Sequence, residues 1–272
     1  MRFHFKLCES DDVRAFVEAG AGRSPDGAGS LFTFHRGNDI WRATLPGVGE
    51  VVAKESCISR DYGFFEGIGR RLRLRVFDVN LRDARAALMA ESLGVATYHP
   101  LAVWTRRGPD GFARGILYTF VKGKNFNDLC KGGAFDEADR PAVKRHLLEL
   151  GQMARRLNDG GLRHRDLHPQ NVVVRPDGSL ALLDFASGYN VRCRWPRYRL
   201  AADFASLRRL ARLFDADCLE SFCAGYCEGR PAREYEHALM AMLFWKYNGL
   251  KGTGGLHRFG FMRDMATFMR IR

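Results

Sequence analysis

The chain has 272 residues, 46% hydrophobic and 27% charged, with a formal net charge of +12 and a pI of about 9.7. That length buries one large core or supports two lobes, and the charge calls for an anionic partner. Seven cysteines, an odd number with no C-x-x-C spacing, argue against a zinc site or a disulfide framework and for a reducing, cytoplasmic compartment. The N-terminus, Met1 to Lys6, lacks a continuous apolar signal region. The longest apolar run, Ala238 to Trp245, is too short to span a bilayer. A soluble or peripheral protein is expected.

Residues 1 to 28 begin irregularly, with a short helix expected over Asp11 to Ala19. Leu31 to His35 and Ile40 to Leu45 read as strands joined by the turn Arg36-Gly37-Asn38-Asp39, and Glu50 to Glu55 reads as a third. Alternation puts Val52 and Lys54 on one face and Val51 and Ala53 on the other. Asn80 is the expected cap of a helix that runs to Leu93 and ends at Gly94. Val95 to Val103 returns to the sheet, Arg106 to Gly111 is a hairpin turn, and Ile116 to Val121 is an apolar strand. Lys122-Gly123-Lys124 breaks it, which puts a lobe boundary between residues 1–121 and 122–272.

Val143, Leu147, Leu150, Ala154 and Leu157 fall at helical spacing, so residues 140 to 158 form an amphipathic helix. It leads into His164-Arg165-Asp166-Leu167-His168-Pro169-Gln170-Asn171. A β-type run, Val172 to Val174, a turn at Pro176-Asp177-Gly178 and a second run, Leu180 to Leu183, then deliver Asp184. Helices are expected over Ala202 to Phe214, Cys218 to Gly225 and Arg233 to Trp245, with a Gly-rich, then helical tail from Gly249. The fold class is α+β, with an antiparallel-sheet N-terminal lobe and a mainly helical C-terminal lobe.

The hairpin sets two carboxylates and an amide at one sheet edge, which is the set phosphoryl transfer needs. Asp166 is the candidate catalytic base. Asn171 and Asp184 offer the hard oxygens that Mg²⁺ prefers. Lys54, near the end of its strand, is placed to reach ATP phosphates, and it needs a carboxylate on the following helix, either Asp83 or Glu91. Gly37, in a turn with a single glycine, is the weak candidate for covering the phosphates. His164 and His168 are read as structural, His168 orienting the loop, and Pro169 stiffens it. Seven arginines between Arg192 and Arg212 stand against one acid, Asp203. Of these, Arg194, Arg197 and Arg199 are candidates for an anionic acceptor, because the guanidinium fork suits carboxylates and phosphates.

This order of parts resembles the lipopolysaccharide core kinases, the Kdo and heptose kinases, which share the protein-kinase-like bilobal fold. The anchors are Val52-Ala53-Lys54, the Leu93-Gly94-Val95 turn with Pro100, the loop from His164 to Asn171, Leu183-Asp184-Phe185, and Arg194-Trp195-Pro196-Arg197-Tyr198-Arg199 ahead of Asp203-Phe204-Ala205-Ser206-Leu207. The resemblance implies an ATP- and Mg²⁺-dependent kinase for an inner-core sugar. It also implies a lipid-anchored acidic glycan as partner and peripheral association with the inner face of the cytoplasmic membrane. By the same resemblance Asp203 braces the catalytic loop. Counting back from Gly94, the family's helix glutamate falls on Asp83, one methylene shorter. Ala186 replaces the glycine of Asp-Phe-Gly. Aminoglycoside- and choline-type small-molecule kinases share the loop, but their cationic acceptors call for acidic linings where this chain carries arginine. A non-catalytic kinase-like module sits poorly with retention of Lys54, Asp166, Asn171 and Asp184. A nucleic-acid binder lacks its basic-aromatic pattern.

Overall fold

A computed structural model describes residues 2–20, 31–35, 38–58, 78–108, 111–130, 135–187, 189–190 and 207–247. The expectations for Gly37, for Arg194, Arg197 and Arg199, for Asp203 and for the tail from Gly249 lie outside the described residues. The chain divides into two compact units. The first holds Met1–Glu91 and Thr97–Val121, the second Ser92–Ala96 and Lys122–Arg272.

The first unit is built on a six-stranded antiparallel sheet of order β1-β5-β6-β4-β3-β2. Its strands are β1 (Arg2–Cys8), β2 (Leu31–His35), β3 (Asn38–Leu45), β4 (Gly49–Ile58), β5 (Pro100–Gly108) and β6 (Gly111–Thr119). Strand β1 corrects the expectation of an irregular start. Phe3, Phe5 and Leu7 alternate with Arg2, His4 and Lys6, a period-two pattern, and β1 pairs antiparallel with β5. Helix α1 (Asp11–Glu18) follows, its N-terminus capped by the Ser10 side chain, which accepts from the Val13 N–H at 3.2 Å.

The two faces of the sheet carry different loads. Trp41, Leu45, Val51, Ala53, Leu101, Trp104 and Leu117 pack with Val13 and Val17 of α1. Gly115 belongs to this layer by necessity, because a Cβ there would lie 2.0 Å from the Trp104 ring. On the opposite face Val103 and Ile116 pack with Ala84 of helix α2 (Val79–Ser92), with Tyr118, Leu7 and Leu81 alongside. Lys54 is registered opposite Ile40 and Ile116, so it belongs to the α2 face. Asn80 does not cap α2. The cap is Asp78, whose carboxylate accepts from the Leu81 N–H at 3.1 Å while also holding Lys6 at 2.6 Å. Asn80 instead turns inward and is buried.

The second unit is organised by helix α4 (Arg140–Asp159), which follows the short β7 (Lys124–Asn125) and α3 (Phe126–Leu129). Val143, Leu147, Leu150, Ala154 and Leu157 are all buried, as their spacing requires. Strands β8 (Leu162–Arg163), β9 (Val172–Val174), β10 (Leu180–Leu182) and β11 (Tyr189–Asn190) come next, then helices α5 (Arg208–Leu213), α6 (Ala216–Tyr226) and α7 (Ala232–Tyr247). Backbones of α4 and α6 touch. A Cβ on Gly151 would lie 2.1 Å from the Phe222 carbonyl oxygen, and one on Gly225 1.9 Å from that of Leu148. The segment Ser92–Ala96 belongs with this unit because Arg156 donates to the Gly94 carbonyl at 3.0 Å and Leu93 packs on Gly160.

His99 links three pieces of the first unit. Its Nδ1 lies 2.8 Å from the Glu91 carboxylate at the end of α2, and its Nε2 contacts the Glu9 carboxylate ahead of α1. Burial alone would lower the imidazole pKa, but the two carboxylates outweigh it and raise the value above 6.5. A folded-state pKa above the unfolded one means that this clasp contributes fully below about pH 6.5 and is lost as pH rises through the folded value. The melting-temperature gap between wild type and His99→Gln should therefore be widest near pH 6 and close toward pH 9. A gap that widens with pH contradicts the clasp.

Candidate active site

The candidate residues of the second unit are brought together by one loop and one hairpin. Strand β8 ends at Arg163, and after His164 the chain turns sharply through Arg165, a non-glycine residue at φ 62°. Leu167 is driven into the core and anchors the loop, while Asp166 beside it stays partly exposed. Pro169 opens a single 3-10 turn that ends at Asn171 and feeds β9. The β9–β10 hairpin is closed by Gly178 at φ 81° and by Asp177, whose carboxylate accepts from the Ser179 N–H at 2.9 Å and the Ser179 hydroxyl at 2.6 Å. Helix α4 pins this hairpin from outside, since Glu149 accepts from the Leu180 N–H at 2.9 Å. Along the same edge the Ala96 carbonyl accepts from the Leu182 N–H at 2.9 Å.

Past β10, the Leu183 N–H donates to the Asn171 carbonyl at 2.8 Å, tying the end of the hairpin to the end of the loop. Asp184 follows at φ 57°, the left-handed region. Such positions cost about 1–3 kcal/mol and collect at functional sites. Its carboxylate accepts from the Ala186 N–H at 3.3 Å.

The Asn171 amide is oriented by its nitrogen. Nδ2 donates to the Asp166 backbone carbonyl at 2.9 Å and lies 3.3 Å from His168 Nε2. With both amide hydrogens directed at these groups, Oδ1 is the atom left for a cation. His168 Nε2 stands 3.7 Å from the Asp166 carboxylate, too far for a hydrogen bond. His168 thus joins loop and amide, as an orienting residue should. His164 is buried and packs against Phe185 at 4.7 Å between ring centroids. Its Nε2 lies 2.8 Å from the Leu183 carbonyl and donates to it. Burial pushes its pKa down, against the opposing pull of that carbonyl, which keeps the ring neutral and structural.

The donor set fits a hard divalent cation. Asn171 Oδ1 and the Asp184 carboxylate are oxygen ligands of the kind Mg²⁺ takes, one or two from protein and the rest from phosphates and water. No cluster of three or more His, Cys, Asp or Glu that could hold a metal by itself exists among the described residues.

The first unit carries the other candidates. Lys54 is half-buried on β4. Asp83 is buried on the sheet-facing side of α2, where its carboxylate accepts the Tyr98 hydroxyl hydrogen. Glu91 is engaged by His99. Among the described residues Lys54 makes no ion pair with Asp83 or Glu91. Tyr98 was not singled out in the sequence, since a lone tyrosine in an extended segment carries no local signal.

The sheet-plus-helix unit, the helical unit and the loop-hairpin site define the class of protein-kinase-like folds. Residues 80–226, more than half of the chain, match the lipopolysaccharide kinase (Kdo/WaaP) family. The chain belongs to that family. It is also similar to eukaryotic kinases. A protein named as a probable serine/threonine-protein kinase of Dictyostelium discoideum is 33% identical over 81 residues, 27% of this chain and 19% of that protein. The serine/threonine-protein kinase OXI1 of Arabidopsis thaliana is 29% identical over 111 residues, 40% of this chain and 26% of OXI1. The chain thus spans about a fifth to a quarter of the length of these curated relatives.

Asn171→Asp tests the amide orientation. It places a carboxylate oxygen opposite the Asp166 carbonyl, where Nδ2 now donates. Urea unfolding should show a loss of about 1–3 kcal/mol. Unchanged stability would mean that the loop does not depend on this donor.

Proposed function

We propose that the chain is a Mg²⁺- and ATP-dependent kinase that phosphorylates a sugar hydroxyl, on Kdo or heptose, of the lipopolysaccharide inner core. The observation that carries this reading is the Asp166–Asn171–Asp184 arrangement, held by the Leu183–Asn171 backbone bond and the Asn171–Asp166 amide bond.

Asp166 is assigned to position the acceptor hydroxyl and take its proton as the new O–P bond forms. The bond from the γ-phosphorus to the bridging oxygen breaks, and ADP leaves with that electron pair. The transition state is loose, so positioning and charge stabilisation dominate and proton transfer is late. Asn171 and Asp184 would hold the Mg²⁺ that neutralises charge on the nucleotide phosphates. Lys54 is assigned to the α- and β-phosphates, with Asp83 as the carboxylate that steadies it. The burial of Asp83 and the engagement of Glu91 by His99 both favour Asp83 over Glu91.

Arg194, Arg197 and Arg199 are assigned to the anionic acceptor, since arginine forks suit phosphate and carboxylate groups. The net charge of +12 supports a lipid-anchored acidic glycan and an anionic leaflet as surroundings. Among the described residues no helix is long and apolar enough to cross a membrane. Peripheral association with the inner face of the cytoplasmic membrane is the arrangement this reading favours.

The test is ATP consumption by purified protein. Wild type should consume ATP in the presence of Mg²⁺ and stop when the metal is chelated. Asp184→Ala should fall by at least about a thousandfold, the scale of losing a preorganised charge contact in phosphoryl transfer, while circular dichroism stays native. A folded Asp184→Ala protein with wild-type turnover would sink the kinase assignment.

A further inference from the structure

We infer that Tyr98 is a positioning residue for the nucleotide lysine, acting through Asp83; this rests on the kinase reading above. The carboxylate that the reading assigns to Lys54 belongs to an aspartate, a side chain one methylene shorter than a glutamate. A shorter side chain reaches less far from its helix, so the direction of its oxygens depends on a hold from a neighbouring element.

Tyr98 supplies that hold. Its hydroxyl donates to the Asp83 carboxylate, and both residues are buried. The Tyr98 ring is in turn fixed, lying 4.6 Å from the Tyr118 ring at an interplanar angle of 41°. Tyr118 is registered opposite Val52 on β4, two residues before Lys54 and on the same face of the sheet. Lys54 is flanked by Ile40 and Ile116 on that face, and Ile116 packs with Val103 and Ala84 of α2, next to Asp83. Lys54, Tyr118, Tyr98 and Asp83 therefore line one layer, between the sheet and α2. A hydroxyl donating to a buried carboxylate is a charge-assisted bond and is stronger than a neutral one. It fixes which way the carboxylate points while the carboxylate keeps its negative charge. Its second effect is to anchor α2 to the segment leading into β5, so the distance from helix to lysine strand is set by a tilted ring contact and not by the aspartate alone.

A residue that acts only through Asp83 must lose its effect when Asp83 loses its charge, which a double-mutant cycle reads directly. The probe is the Mg²⁺ complex of a non-hydrolysable ATP analogue, with affinity measured by calorimetry on the full chain. Tyr98→Phe removes one oxygen and should weaken binding about tenfold, with a melting temperature close to wild type. Asp83→Asn should weaken it at least as much. In the Asp83→Asn background, Tyr98→Phe should change affinity by less than about twofold. Equal affinities of wild type and folded Tyr98→Phe would overturn the role of Tyr98 and leave the kinase reading standing. Independent, additive losses would make Tyr98 a general packing residue and overturn it as well. Should Tyr98→Phe not fold, Asp83→Asn still decides, because an unchanged affinity there removes the carboxylate from the site and Tyr98 with it. A folded wild type that does not bind the nucleotide overturns both the inference and the reading beneath it.

Discussion

Asn171 and Asp184 are separated by a complete hairpin, and the contact that makes them neighbours is a single backbone hydrogen bond, Leu183 N–H to Asn171 C=O. The geometry of the candidate site follows from it. The bond requires β9 and β10 to pair in one register, which Val172, Leu180 and Leu182 enforce by being buried together. A slip of one residue would turn all three to the wrong side. The tight Asp177–Gly178 turn removes the slack that such a slip would need. Glu149 and Ala96 then hold β10 along the edge that β9 leaves open.

Beyond this bond the backbone must depart from ordinary conformations to present its side chains. Arg165 and Asp184, both left-handed, bracket the loop and the hairpin. One lets the chain turn away from β8 so that Asp166 follows. The other aims the carboxylate of Asp184. The strain at both is opposed by the hydrophobic anchors next to them, Leu167 and Phe185, which are buried. His164 joins the two halves by packing on Phe185 and donating to Leu183. Its burial as a neutral ring fits a residue that holds the site without titrating in it.

Much of this was legible in the residues themselves. The apolar spacing of α4 gives its buried face and the alternation of β4 gives its two faces, because each reports a single periodicity of 3.6 or 2. The Pro176-Asp177-Gly178 turn announced the hairpin, and the hairpin announced the proximity of Asn171 to Asp184. Strand β1 alternates over only seven residues, and its place in the sheet comes from pairing with the distant β5, which no local pattern announces. The α2 cap was misassigned from Asn80 to Asp78 because both residue types cap equally well. The choice rests on Lys6 and on the inward turn of Asn80, which are tertiary facts. Tyr98 was invisible for the same reason. Its partner Asp83 lies on another element, and no local pattern links a helix carboxylate to a hydroxyl in the strand approach that follows.

The family match sets the class, and the acceptor remains the central claim. Its most direct test is mass spectrometry of lipopolysaccharide core from a strain in which this gene is deleted, compared with the same strain carrying it. The account predicts a core lacking one phosphate on an inner-core sugar in the deletion strain, restored when the gene returns. A core with identical phosphate content in both strains would contradict it.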